Sequence, residues 1–249
     1  MVDAMNEQPI KIAILDSVPK FHWRDDNNIT DGEKFVSLLE PENINAKFDI
    51  FYVSEYEFPN NIESYDGYLL TGSPVSVHDD YDWIKMLSDF IGKANNKNKP
   101  IVGVCFGHQL IAKYFGGVVG NNEKGWMIGN FPLEIEINFP WMKKKVNTTD
   151  LYHFNKERVI KLPEGAISFA SSEDYPYYAY TIGDNIVCLQ GHPEQPKRAM
   201  YNFLEVTKAV LSEKDIEKAN SCIGSGKSNS VVWAQWIMDF FGSHFPPKN

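Results

Sequence analysis

The stretch PIVGVCFGHQLI, residues 100–111, decides how this chain folds. Residues 100–104 form a short apolar run rich in β-branched side chains, which predicts a buried strand. After Cys105 the apolar residues follow helical spacing, and Gly116-Gly117 ends the predicted helix. The sequence therefore predicts a strand, a sharp glycine-flanked turn at Cys105, and a helix that begins directly after the turn.

This Gly-x-Cys-x-Gly turn has the form of a nucleophile elbow, with Cys where many hydrolases carry Ser. Gly103 and Gly107 would let two backbone segments come close to the turn. Free N–H groups and the dipole at a helix N-terminus stabilise a thiolate there, and the N–H of Phe106 is free to face an oxyanion. Because the pattern is short, a buried structural Cys before an ordinary helix is the alternative interpretation.

Size and charge limit the classes of protein that the chain can belong to. It has 249 residues, of which 43% are hydrophobic and 23% charged, as is typical of a globular protein. We expect one domain over 1–249, with a core at about 10–200 and C-terminal helices at about 197–242. The net charge of −9 argues against nucleic acid or an anionic membrane as the main partner.

The cysteine count predicts the redox environment. There are three cysteines, Cys105, Cys188 and Cys222, an odd and sparse number that favours reduced thiols and a cytoplasmic location. Residues 1–9 are polar and acidic, so we expect neither a signal peptide nor an anchor there.

Apolar runs alternate with helical patterns through the first half of the chain. Strands are predicted at 10–16, 47–53, 66–71 and 100–104, and helices at 33–39, 79–94 and after Cys105. This order predicts an α/β fold of three layers, with a mostly parallel central sheet, helices on both faces, and the active site at the carboxyl ends of the strands. Residues 118–190 hold short strand-like runs, which predict a small antiparallel extension.

A catalytic Cys needs a base and a group that orients the base. Among the six histidines, His192 stands out because an apolar run at 187–190 ends in Gly-His-Pro-Glu. Pro193 biases His192 towards extended backbone, so His192 and Glu194 can lie on the same side, and Glu194 can fix the imidazole tautomer. The alternative is a turn that contains His and Glu by chance.

Gly-x-Cys-x-Gly-x-Gln followed by His-Pro-Glu resembles the class I glutamine amidotransferases, the family with a Cys-His-Glu triad, over about residues 10–200. The resemblance implies a flavodoxin-like sheet, with Cys105 as nucleophile, His192 as base and Glu194 as its orienter. It also implies that the N–H groups of Gly72 and Phe106 form the oxyanion hole.

The resemblance further implies that Gln109, one helical turn past Cys105, contacts the γ-glutamyl part of the substrate. It places Gly125, Trp126 and His153 among the substrate-binding residues. Lys-Gly-Trp at 124–126 and Gln-Gly-His-Pro-Glu at 190–194 look similar to free-standing members of the γ-glutamyl peptidase kind.

Two positions depart from common family patterns. Gly191 stands where many amidotransferases carry Phe, and we expect it to remove bulk beside the leaving group. Asn155 replaces the Asp of a His-x-Asp found in domains that feed a GMP-synthesising partner. Both departures weaken an assignment to GMP synthesis. No synthetase domain is recognised in the 249 residues, so released ammonia would need a separate partner chain.

The implied activity is hydrolysis of a γ-glutamyl amide in a small molecule, through a thioester on Cys105, with no cofactor or metal. Two alternatives remain. One is a glutaminase subunit that delivers ammonia to a separate synthetase such as a GMP synthase. The other is a catalytically silent binding domain, which the intact Cys-His-Glu set argues against.

One further motif is weak. Gly224-Ser225-Gly226-Lys227-Ser228 ends like a phosphate-binding loop, but Ser221 stands where that motif requires Gly. We expect a polar loop between helices at this position.

Overall fold

The computed structural model describes residues 8–22, 29–42, 44–225 and 228–245. Residues 1–7, 23–28, 43, 226–227 and 246–249 lie outside this part of the chain, and they include Gly226-Lys227 of the phosphate-loop-like run. The helices are α1 (Asp31–Leu39), α2 (Asp82–Asn96), α3 (Phe106–Tyr114), α4 (Lys197–Thr207), α5 (Glu213–Ser225) and α6 (Ser230–Ser243). Within the described ranges, no helix combines the length and the apolar composition that crossing a membrane requires.

The strands are β1 (Ile10–Asp16), β2 (Ala46–Tyr52), β3 (Gly67–Leu70), β4 (Ile101–Val104), β5 (Val118–Asn121), β6 (Met127–Ile135), β7 (Thr148–Asn155), β8 (Glu157–Lys161), β9 (Ala166–Ser172), β10 (Tyr175–Ile182) and β11 (Ile186–Leu189). Single 3-10 turns cover Lys20–His22, Val53–Glu55, Ile62–Ser64 and Lys208–Val210.

The described strands form one nine-stranded sheet in the order β2-β1-β3-β4-β11-β10-β9-β6-β7, and β5 and β8 pair separately. The neighbouring pairs from β2 to β11 in this order are parallel, and the pairs from β11 to β7 are antiparallel. The predicted fold class is confirmed, but the antiparallel part is larger than we expected. It continues the main sheet, because β11 pairs with β4 on one side and β10 on the other.

Helices cover both faces of the sheet, and this explains the apolar sequence of β1. Ile12 and Ile14 pack on the face covered by α1 and α6, whereas Ala13 and Leu15 pack on the face covered by α2 and α3. A strand buried on both sides reads as a continuous apolar run. A third cluster, which includes Ile128 of β6, packs under α4 and α5.

Two helices begin at residues other than those predicted. Polar side chains cap α1 at an earlier residue and form a turn before α2. Helix α1 begins two residues before the predicted start, since Thr30 and Glu33 form a capping box in which each side chain accepts a hydrogen bond from the other's N–H. Helix α2 begins at Asp82 because Asp79 closes a turn with Ser76, whose N–H it accepts at 3.0 Å.

The turn after β4 depends on close contact between backbone segments. The N–H of Gly107 donates to the carbonyl of Thr71 at 3.2 Å. A Cβ at Gly107 would lie 2.7 Å from Leu70 Cβ, and one at Gly103 would lie 2.9 Å from the Gly107 carbonyl carbon. The expected role of both glycines in close approach is therefore confirmed, and β3, β4 and α3 meet at one point.

We predict that Gly107→Ala lowers the free energy of unfolding by about 1–3 kcal/mol, because the added methyl group overlaps the side chain and backbone of Leu70. Gly224→Ala is the control: Gly224 lies in α5, and its Cβ would meet nothing closer than Tyr201 Oη at 3.8 Å. We expect this control to be neutral or slightly stabilising. Urea unfolding measures both, and equal stabilities would contradict the prediction.

Candidate active site

Cys105 lies between β4 and α3 in an unusual backbone conformation, with φ 51° and ψ −99°. Its N–H donates to the carbonyl of Leu189 at 2.9 Å, and 5% of the residue is exposed. A positive φ is costly for a residue with a Cβ, and such strain is common at functional sites. The thiol is thereby held at the first turn of α3.

Strand β11 brings His192 and Glu194 to the same end of the sheet. Leu189 lies beside Val104 in the parallel β11–β4 pair, so the residues that follow β11 lie next to Cys105. His192 Nδ1 and Glu194 Oε1 are 2.7 Å apart, and both side chains are buried. The N–H of His192 donates to the carbonyl of Tyr152 at 2.8 Å, which fixes the backbone below the imidazole.

Gly72, after β3, lies against both Cys105 and His192. A Cβ at Gly72 would lie 2.9 Å from His192 Cε1 and 3.6 Å from Cys105 Cβ. Within the described residues, the N–H groups of Gly72 and Phe106 have no protein acceptor. Two unpaired N–H groups on either side of a thiol are what an oxyanion hole requires.

Side-chain hydrogen bonds hold the Gly72 loop in place. Thr71 Oγ1 accepts from the N–H of Ser17 at 2.9 Å, and Ser73 Oγ donates to the carbonyl of Ser17 at 2.7 Å. The loop after β3 is thus tied to the end of β1. The sequence did not indicate this connection, which joins residues more than fifty positions apart.

Electrostatics favour a protonated His192. Burial by itself lowers the pKa of the imidazole, but the charge and hydrogen bonds of Cys105 and Glu194 raise it well above its ordinary value. The structure thus favours an imidazolium at His192, held between Cys105 and Glu194.

Gln109 and Asn155 are two polar residues whose side-chain amides are held by hydrogen bonds within the protein. Gln109 Nε2 donates to the Glu157 carbonyl at 2.8 Å and to Gln190 Oε1 at 3.0 Å. Asn155 Nδ2 donates to the same carbonyl at 2.9 Å and to Tyr175 Oη at 2.7 Å. The amide nitrogen of Gln109 is therefore engaged by protein, and its contact with a substrate stays a prediction.

The structure places His153 in the protein interior, and its contact with a substrate stays a prediction. Its ring is fully buried beside Phe131, Tyr175 and Tyr178, and neither ring nitrogen has a hydrogen-bond partner among the described residues. Burial, with a smaller effect from His192, lowers the pKa of His153 to about 3. The imidazole is therefore neutral and packs as an aromatic ring.

Gly125 and Trp126 directly precede β6. Gly125 ends a turn with φ 79°, closed by its N–H to the carbonyl of Asn122. Trp126 packs on Phe154 and lines a small hollow towards α5. Because side chains alternate along a strand, Phe154 and His153 point to opposite faces of β7. The contacts of the described residues do not include one from Gly125 or Trp126 to Cys105, and their part in substrate binding stays a prediction.

The expectation that Gly191 leaves space for a leaving group is wrong. A Cβ at Gly191 would lie 1.8 Å from Tyr178 Oη, so the tyrosine hydroxyl already occupies that space. Tyr178 is fully buried, and burial raises its pKa well above the ordinary value, so the phenol stays neutral. The absence of a side chain at Gly191 is what lets Tyr178 of β10 pack against it.

Among the described residues there is no cluster of three or more side chains suited to a metal ion. His108 is buried in α3, its Nε2 is 3.1 Å from the carbonyl of Tyr177, and burial lowers its pKa to about 3. Its ring packs on Tyr180.

Comparison with known proteins identifies relatives along most of the chain. The profile of the family "Glutamine amidotransferase class-I" matches residues 39–206. Gamma-glutamyl peptidase 4 of Arabidopsis thaliana is 34% identical over 205 residues, which cover 74% of this chain and 81% of that protein. A GMP synthase (glutamine-hydrolysing) of Wolbachia pipientis wMel is 29% identical over 198 residues, covering 70% of this chain and 38% of that protein.

Solved structures share the fold. A glutamine amidotransferase of Thermotoga maritima superposes with a TM-score of 0.74 at 20% identity, and the match covers 95% of this chain and 98% of that one.

We predict that His153→Phe makes stability less sensitive to acid. The folded-state pKa of about 3 lies below the ordinary 6.5, so the unfolded chain binds the proton first and stability falls as pH drops below about 6.5. Phe cannot bind the proton, so the variant does not lose this free energy of unfolding, which amounts to up to about 1.4 kcal/mol per pH unit. Urea unfolding between about pH 6 and pH 4 tests it, with exposed His78→Phe as control. Parallel slopes for His153→Phe and the wild type would contradict it.

Proposed function

The chain belongs to the class I glutamine amidotransferase family, and on that basis we propose that it hydrolyses γ-glutamyl amide bonds through a γ-glutamyl thioester on Cys105. One observation carries the proposal. Cys105 in its strained turn, the paired His192 and Glu194, and the unpaired N–H groups of Gly72 and Phe106 converge at the carboxyl ends of β3, β4 and β11.

In the first half of the reaction the thiolate of Cys105 attacks the side-chain carbonyl carbon of the γ-glutamyl group. The carbonyl oxygen becomes an oxyanion, which the N–H groups of Gly72 and Phe106 stabilise. The imidazolium of His192 then gives its proton to the leaving amine as the C–N bond breaks. A thioester remains on Cys105, and His192 is left neutral.

In the second half, neutral His192 takes a proton from a water molecule, whose oxygen attacks the thioester. The C–S bond breaks, glutamate leaves, and Cys105 and His192 return to the thiolate–imidazolium pair. Glu194 Oε1 accepts a hydrogen bond from His192 Nδ1–H, so Nε2 is the nitrogen that exchanges protons.

Two observations favour a peptidase acting without a partner. The similarity to a γ-glutamyl peptidase runs through most of both chains, whereas the match to a GMP synthase covers 38% of that protein. Asn155, where GMP-coupled domains carry Asp, is used inside the protein to bind Tyr175 and the carbonyl of Glu157. We therefore propose γ-glutamyl amides larger than glutamine as substrates, cleaved in a reducing compartment such as the cytoplasm.

The second candidate is a glutaminase subunit that passes ammonia to a separate synthetase. The similarity to a glutamine-hydrolysing GMP synthase favours it. The match covers 38% of that protein, and in this candidate a separate chain would supply the remaining part. A silent binding domain is the weakest candidate. A domain without chemistry has no need for a strained Cys105 beside a hydrogen-bonded His192 and Glu194.

We predict that the purified chain alone releases glutamate from a γ-glutamyl dipeptide faster than from glutamine. Cys105→Ala should lower this rate by at least about 10³-fold, since the remaining groups supply no nucleophile. Cys188→Ala is the matched control: that thiol is also buried, and burial raises its pKa to about 12, so it is not a nucleophile.

Coupled glutamate and ammonia assays give both rates. Activity that appears only after another protein is added would favour the glutaminase subunit. Near wild-type rates for Cys105→Ala would contradict the mechanism.

A further inference from the structure

A buried chain of hydrogen bonds connects the His192–Glu194 pair to the start of α1. Gln195, which is 2% exposed, donates from Nε2 to Glu194 Oε1 at 3.3 Å. The same nitrogen donates to Asp31 Oδ1 at 2.9 Å. Asp31 is the first residue of α1, so one amide bridges the residue that orients His192 and a helix from the other end of the chain.

Gln195 is the only group besides His192 that donates a hydrogen bond to Glu194 within the described residues. Glu194 Oε1 accepts from both, whereas Glu194 Oε2 is buried without a partner. A carboxylate held by one donor can rotate about its last torsion, but two donors on one oxygen restrict that rotation.

The charges around Gln195 explain why an amide suits this position. Glu194 and Asp31 both accept a hydrogen bond from its amide nitrogen, and Asp31 is close enough to Asp16 for their charges to interact. Burial, followed by the charge of Asp31, raises the pKa of Asp16 to about 6. Lys34 Nζ lies 2.9 Å from Asp31 Oδ1 and neutralises part of this negative charge. A neutral side chain that donates to two anions relieves their repulsion without adding a charge.

We infer that Gln195 is a positioning residue, which fixes the Glu194 carboxylate against His192 Nδ1 by anchoring it to Asp31. The inference rests on the proposed function and deepens it. Gln195 does not touch the thiol, so it acts only through Glu194 and His192.

The inference is tested with Gln195→Met, which keeps the length and apolar volume of the side chain and removes both donors. We expect kcat for a γ-glutamyl dipeptide to fall about tenfold with KM little changed. In a Glu194→Gln background the same substitution should have no further effect, because the carboxylate it positions is gone. Asp31→Ala should give a smaller loss in the same direction.

Asn185→Leu is the matched control. Its amide also donates twice, to Asn95 Oδ1 at 3.0 Å and the Lys99 carbonyl at 3.2 Å, but at the opposite end of β11. It should lower the melting temperature and leave kcat unchanged. Equal losses of kcat from Gln195→Met in both backgrounds, or a change confined to melting temperature, would overturn the positioning role.

A readout that does not need activity separates this inference from the proposed function. The Nδ1–H proton of His192 should give a low-field NMR signal, which Gln195→Met should shift or broaden and Asn185→Leu should leave in place. If the wild type hydrolyses no γ-glutamyl amide but this signal changes as expected, the proposed function fails and the positioning role holds. An unchanged signal in Gln195→Met, with the fold intact, overturns the positioning role.

Discussion

The positive φ of Cys105 is the constraint on which the rest of the site depends. An L-residue adopts it only where its surroundings leave no alternative, and here the surroundings are backbone. Gly107 lies against Leu70, and the N–H of Cys105 is bound by the carbonyl of Leu189. The neighbouring strands β3 and β11 therefore hold the turn from both sides. The same two strands deliver Gly72 and His192, so the fold that imposes the strain also assembles the groups around the thiol.

Burial and charge act in opposite directions at His192, and the balance decides its protonation. Removing the imidazole from water favours the neutral form, whereas Cys105 and Glu194 together outweigh that effect. His153 shows the effect of burial alone: its ring nitrogens have no hydrogen-bond partner in the described part of the chain, and burial lowers its pKa to about 3. Two histidines within one cluster thus have pKa values shifted in opposite directions, and His192 is the one whose protonated form is favoured.

The sequence predicted the parts of this structure that depend on local pattern. Strand β1 was expected at the residues where it lies, and the turn at Cys105 followed from its flanking glycines. The features that the sequence predicted wrongly or did not indicate concern packing between distant segments. The contact of Gly191 with Tyr178 depends on β10, and the hydrogen bond from Gln195 to Asp31 joins residues 164 positions apart. Neither has a sequence pattern, because close contact between strands and helices does not require a particular spacing.

The central claim is that an acyl group passes through Cys105, and trapping that acyl group tests it most directly. Wild-type protein would be mixed with a γ-glutamyl anilide, quenched in acid within the first turnover, digested and analysed by mass spectrometry. The account predicts one γ-glutamyl adduct on the peptide that carries Cys105, and none on that peptide in Cys105→Ala. Release of glutamate at the wild-type rate without any adduct, or an adduct on Cys188 or Cys222 instead, would contradict it.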